Sequence, residues 1–146
     1  MYFCSKIKRI MTLEGLESKL ESIQNDQGVT YSSLDKAGIG FMTVKRIQSG
    51  QNYQVKMLFK YVDLLCNYIL VNGNVVENVE SLGEYLQSKR LERGLTTTQI
   101  ASKMVVANNT VSAIEKGRGY KRESLLKYID AIGGVDFDID EILNHL

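Results

Sequence analysis

The side chains that could carry proton transfer or nucleophilic chemistry are few and far apart in this chain. Its one histidine, His145, stands at the C-terminal edge of the sequence without a partner. Two cysteines, Cys4 and Cys66, are too few and too scattered for a disulfide framework or a metal site. Cys66 lies in an apolar stretch and reads as a buried thiol. No triad, phosphate loop or carboxylate pair at catalytic spacing is present, so neither enzymatic activity nor a cofactor or metal is expected. Charge is the chemistry that remains. The net charge is only +1, but Lys116, Arg118, Lys121, Arg122 and Lys127 meet a single Glu123 within residues 116–127. Asp136, Asp138, Asp140 and Glu141 follow. A basic patch held apart from an acidic tail can meet an anionic partner although the total is near neutral.

With 44% hydrophobic and 24% charged residues over 146 positions, the composition is that of a packed chain, one ordinary domain or two very small ones. No apolar run approaches the roughly 20 residues of a membrane span. Lys6, Lys8 and Arg9 are followed by no long apolar stretch, which argues against a secretory signal and for a cytoplasmic protein. Residues 1–10 read as an N-terminal extension, with Met11 an alternative start.

The elements that must position the basic patch come in two copies. Gly50, Tyr53, Leu58, Lys60, Tyr61 and Asp63 return as Gly117, Tyr120, Leu125, Lys127, Tyr128 and Asp130, 67 residues later. Upstream, Leu16, Leu20, Gly28 and Thr30 match Leu82, Leu86, Gly94 and Thr96 at a shift of 66. One residue is therefore gained or lost between Thr30 and Thr43, and the copies span about 11–78 and 79–146.

In the second copy, Ser81 and Glu84 have capping-box spacing and open a helix ending near Gly94, with Leu82, Tyr85, Leu86 and Lys89 on one stripe. Thr96 and Gln99 form a second box, starting a helix over Thr97–Met104. A third helix spans Asn108–Lys116, stopped by Gly117, and a fourth spans 122–132, stopped by Gly133 and Gly134. Residues 68–76 carry two β-rich runs around Asn72-Gly73, a hairpin signal. Val135, Phe137 and Ile139 alternate with aspartates, which predicts a strand whose role is pairing between copies or subunits.

Residues 95–117 resemble the Cro/repressor-type helix-turn-helix family, also called the xenobiotic-response-element type. The resemblance rests on small Ala101 where two short helices approach and on Ile100, Met104, Val106, Val111 and Ile114 at buried positions. It extends through Ile114–Gly117 and residues 125–133, so that the match spans 82–133. Val105 departs from the family, which places glycine in the turn; a β-branched residue at positive φ is strained by about 1 kcal/mol or more. The first copy resembles a divergent member. Gly38 and Ile39 fill its turn, Thr43, Val44 and Ile47 match Thr110, Val111 and Ile114, and Leu34 replaces Ala101. The implied fold is mainly α: two tandem lambda-repressor-like helix-turn-helix bundles, each followed by a short β-strand or hairpin.

The resemblance implies that the second motif helix enters the major groove of double-stranded DNA while the first crosses the phosphate backbone. Thr97 and Thr98 would then meet phosphate, and Asn108, Asn109, Thr110 and Ser112 would face the bases, asparagine toward adenine and threonine toward the thymine methyl. Lys116, Arg118 and Lys121 would clamp phosphates. In the first copy Phe41, Met42, Thr43, Lys45 and Arg46 would face outward; Lys45 and Arg46 suit guanine or phosphate, whereas Phe41 and Met42 suit a protein. Plainer roles stand beside these. Thr96 is a cap, Asn108 either caps its helix or reads a base, Thr110 can face a neighbouring helix, and Lys116 and Arg118 can be solvated charges. Tyr53, Tyr61, Tyr120 and Tyr128 are expected in the core with wet hydroxyls.

Two copies in one chain suggest a covalent pseudo-dimer on an asymmetric operator, or a first copy that dimerises while the second copies of a homodimer read a palindrome. The function implied is a sequence-specific DNA-binding transcriptional regulator, most simply a repressor of phage, plasmid or mobile-element origin. The alternative is a protein-interaction or antitoxin-like module that reuses the helix-turn-helix fold.

Overall fold

The computed structural model describes residues 11–139. The extension over 1–10 with Cys4, and the tail residues Asp140, Glu141 and His145, lie outside the described residues. Within them the chain is mainly helical, with eight helices and a small three-stranded antiparallel sheet. The first run is α1 (Leu13–Gln27), α2 (Tyr31–Lys36), α3 (Phe41–Gln48) and α4 (Val55–Leu65), followed by β1 (Ile69–Val71) and β2 (Asn74–Val76). The second is α5 (Val79–Glu92), α6 (Thr97–Met104), α7 (Asn108–Lys116) and α8 (Arg122–Ala131), then β3 (Phe137–Asp138). No helix among the described residues is long and apolar enough to cross a membrane.

Helix starts repeat at shifts of 66, 66, 67 and 67 residues, as the sequence repeat requires. The extra residue sits inside α6. Thr30 and Thr96 cap α2 and α6 alike, but α2 has six residues and α6 eight. Leu16, Leu20, Leu82 and Leu86 are all buried, so the shared leucines are the core face of α1 and α5. One cap differs from expectation: α5 begins two residues before Ser81. Asn78 caps it and Ser81 returns the bond as the third helical residue, so the box is Asn78–Ser81 and not Ser81–Glu84. Asparagine accepts the orphan N–H as well as serine does, and it lies nearer the β2 exit.

Asn72 and Gly73 both have positive φ (49° and 81°), which gives the tight turn between β1 and β2. β1 also pairs antiparallel with β3, Leu70 opposite Asp138 and Val71 opposite Phe137, so the sheet joins the two runs. The strand over 135–139 is shorter than its pattern suggested, yet its burial alternates as expected: Val135, Phe137 and Ile139 are buried.

A second junction lies before α4 and α8. Val55 N–H donates to the Tyr120 carbonyl (3.0 Å) and Arg122 N–H to the Tyr53 carbonyl (2.9 Å), around a bridge between Gln54 and Lys121. A shift of 67 residues turns Val55 into Arg122 and Tyr53 into Tyr120, so it exchanges these two bonds with each other. The same shift exchanges Leu70–Asp138 with Phe137–Val71 in the sheet. Both junctions are thus symmetric under exchange of the two runs, which is the signature of a local two-fold axis.

Candidate nucleic-acid interface

The second run builds its outward face on α6 and α7. Thr96 accepts from Gln99 N–H and Gln99 Oε1 accepts from Thr96 N–H, the reciprocal box expected at this helix start. Ile100, Ala101, Met104, Val111 and Ile114 are buried, while Val106 is half-buried against the core. The turn keeps its left-handed geometry despite its residue: Val105 sits at φ 59°, ψ 50°, with 87% of its surface exposed. Its counterpart Gly38 has φ 100°. An exposed isopropyl group at positive φ has strain to bear and no packing to offset it.

Thr98, Asn108, Asn109, Lys116, Arg118 and Lys121 are exposed, and Thr97, Thr110 and Ser112 half-exposed. Asn108 does not cap its helix. Ala107 occupies that position without a side-chain bond, and Asn108 is the first helical residue, its amide 3.4 Å from Thr98 Oγ1. That contact draws Thr98 and Asn108 together across the turn. Arg122 leaves the basic patch: its guanidinium pairs with buried Glu17 at 2.7 and 3.0 Å. Lys127 lies 3.8 Å from Glu123 one turn away. Lys116, Arg118 and Lys121 form no ion pair among the described residues.

In the first run, Thr43 is half-exposed and Lys45 and Arg46 exposed on α3. Lys45 Nζ lies over the rings of Tyr31 (5.3 Å) and Phe41 (5.7 Å), which themselves meet edge to face. Phe41 and Met42 are 49% and 60% exposed. Leu34, which takes the place of small Ala101, is fully buried in the shorter α2. Thr43 and Arg46 line a cleft of about 380 Å³ together with Gln54 and with Lys121 of the second run. The two-fold bridge therefore lies at the edge of the α3 surface.

What holds α7 in place was not foreseen. Arg90 on α5 donates through Nε and Nη2 to Glu115 on α7 (2.6 and 3.1 Å) and through Nη1 to the Leu95 carbonyl (2.8 Å). The Tyr128 hydroxyl on α8 donates to the same carboxylate at 2.5 Å. All three side chains are buried. The Glu115 hydrogen bond raises the Arg90 pKa further, and burial followed by Glu115 pushes that of Tyr128 up. The first run has a neutral version: Gln48 donates to Gln24 Oε1 (3.0 Å) and to the Tyr61 hydroxyl (2.9 Å), Tyr61 donates to Gln24 (2.5 Å), and Gln24 donates to the Val29 carbonyl (3.1 Å). Tyr61 is pushed up to about 12, mainly by burial.

The tyrosine hydroxyls are thus buried and not wet. Tyr53 donates to Glu17 at 2.5 Å, where burial and then the Glu17 charge raise its pKa, while the Tyr120 hydroxyl is buried with no partner among the described residues. Its missing partner has a sequence cause. Glu17 corresponds to Gly83, where a Cβ would stand 2.4 Å from the Glu115 carbonyl oxygen. Close approach of α5 to α7 requires glycine there, so the position equivalent to Glu17 supplies no carboxylate for Tyr120. Cys66 is buried as expected, its thiol pushed up to about 11 by burial.

Compared with protein-family models, curated proteins and solved structures, the chain matches none of them.

Proposed function

We propose that this chain is a sequence-specific DNA-binding transcriptional regulator, most simply a cytoplasmic repressor, built from two related helix-turn-helix units over 11–78 and 79–146. The observation that carries this reading is the α6–Val105–α7 segment. It combines a doubly bonded cap, a left-handed turn and a buried inner face with an outer face of Asn108, Asn109, Thr110 and Ser112 flanked by Lys116 and Arg118, which form no ion pair among the described residues. Amides and hydroxyls can read base edges, and cations near the helix end can hold phosphates. The Arg90–Glu115–Tyr128 network supports this by fixing α7 from its buried side.

Fluorescence anisotropy with duplex DNA from upstream of the gene, against a scrambled duplex at two salt concentrations, tests the reading. Tighter binding to the native duplex, weakened by salt and by Arg118→Ala, is expected. Equal weak binding to both duplexes overturns it for that DNA. The exposed Phe41 and Met42 on α3 favour a second reading, an antitoxin-like protein-interaction module, in which Phe41→Ser abolishes partner binding and Arg118→Ala does not.

A further inference from the structure

We infer that one chain is the complete reading unit, a covalent pseudo-dimer that sets α3 and α7 on two unlike half-sites of a single duplex about the two-fold axis at Gln54–Lys121. The inference rests on the DNA-binding reading above. Three observations carry it. First, the two junctions between the runs, at residues 53–55 with 120–122 and at β1 with β3, are each symmetric under the 67-residue exchange. A symmetric dimer of separate chains uses such self-complementary contacts, and here the chain makes them with itself. Second, the junction strands carry their pairing inside the molecule. β1 already has β2 on one side and β3 on the other, so a second copy has no edge of β1 left to pair with, and the facing edges of 53–55 and 120–122 are bonded to each other. Third, Thr43 and Arg46 of α3 share a cleft with Lys121 beside the bridge. The exchange pairs Thr43 with Thr110 on α7, so a two-fold relation of the whole runs would set the second outward face on the other flank of the same axis.

The half-sites must differ because the helices do. Arg46 falls where α7 has Ala113, and Phe41 and Met42 fall where it has Asn108 and Asn109. Amides favour adenine and a guanidinium favours guanine, so the α7 half is expected to be A·T-rich and the α3 half to carry guanine. Exchange symmetry is broken at the junction too: Glu17 locks to Arg122, and the mate of this pair, Gly83 with Val55, has no charge. The lock buries its carboxylate completely and holds the relative angle of the halves.

Selection of duplexes by the full chain from a random pool tests this, followed by native mass spectrometry of the complex. A non-palindromic consensus occupied by one chain is expected. Arg46→Ala should relax preference in one half only and Asn109→Ala in the other, both variants keeping the parent circular dichroism melt. Five base pairs inserted between the halves should weaken binding about a hundredfold, because the second contact loses its intramolecular advantage. A palindromic consensus holding two chains, or an Arg46→Ala variant with unchanged preference, overturns the pseudo-dimer while leaving DNA reading in place. No enriched sequence at all overturns both.

Discussion

Arg90, Glu115 and Tyr128 meet in the second run at the point where Gln24, Gln48 and Tyr61 meet in the first. The corresponding helices supply both sets, and even the outer bond is kept, to the carbonyl of Leu95 in one and Val29 in the other. The charge differs, and so does the tyrosine's acceptor: Tyr128 donates to Glu115 of the third helix, Tyr61 to Gln24 of the first. The task is the same in each: the side chain from the first helix reaches the strand of chain leading to the second and ties it to the third and fourth. Buried polar groups must be satisfied, and a glutamine pair satisfies the same geometry as a guanidinium with a carboxylate. The charged version binds more strongly when whole and leaves more exposed to loss when broken. The run with the polar outward helix thus has the charged network beneath it.

The largest test of this difference removes one partner from each network. Glu115→Ala strands a buried guanidinium and should cost about 3–5 kcal/mol in urea denaturation. Gln48→Ala should cost about 1–3 kcal/mol, since it leaves neutral groups unpaired. Equal losses would erase the distinction. Converting the second network into the first with the pair Arg90→Gln and Glu115→Gln should restore most of the Glu115→Ala loss, because both charges leave together. A double variant as unstable as Glu115→Ala would show that the charge itself is needed.

Alkaline titration probes the buried thiol and the tyrosine of the first network. Burial raises Cys66 to about 11 and Tyr61 to about 12, so the folded state holds these protons where the unfolded chain has released them. The stabilisation is complete below the unfolded values and is lost as pH rises through the folded ones. The urea midpoint should therefore begin to fall above about pH 9 and fall faster from about pH 10, where unfolded tyrosine ionises. Tyr61→Phe should flatten its share of the slope. The smallest effect is at the turns. Val105→Gly should stabilise by less than about 1 kcal/mol, as strain relief exceeds glycine's entropy by little, and Gly38→Val should destabilise by about 1–2 kcal/mol. Thermal melts of the two variants check the opposite signs.

Local features were legible because their causes are local. The Thr96–Gln99 box, the Asn72-Gly73 turn and the bounds of α6 and α7 depend on residues at most a few positions apart. Where the reading slipped, a competing neighbour won: Asn78 took the cap assigned to Ser81, and Ala107 stood at the cap that Asn108 could have filled. The candidate surface residues all emerged accessible, but Arg122 did not stay with its basic neighbours, since its partner Glu17 lies 105 positions away.

The buried networks left only a faint trace in the sequence. Gln24 aligns with Arg90 at a shift of 66 and Gln48 with Glu115 at 67, but a search for identities passes over polar residues that differ. By itself the sequence determined that the chain repeats, that the repeat is helical, and where α6 and α7 start and stop. Only the tertiary structure decided which polar residues go inside, which cation is diverted, and how the copies face each other across Gln54 and Lys121. Periodicity and capping are set within one or two helical turns, whereas satisfying a buried charge or closing a two-fold junction depends on residues that meet only after the chain has folded.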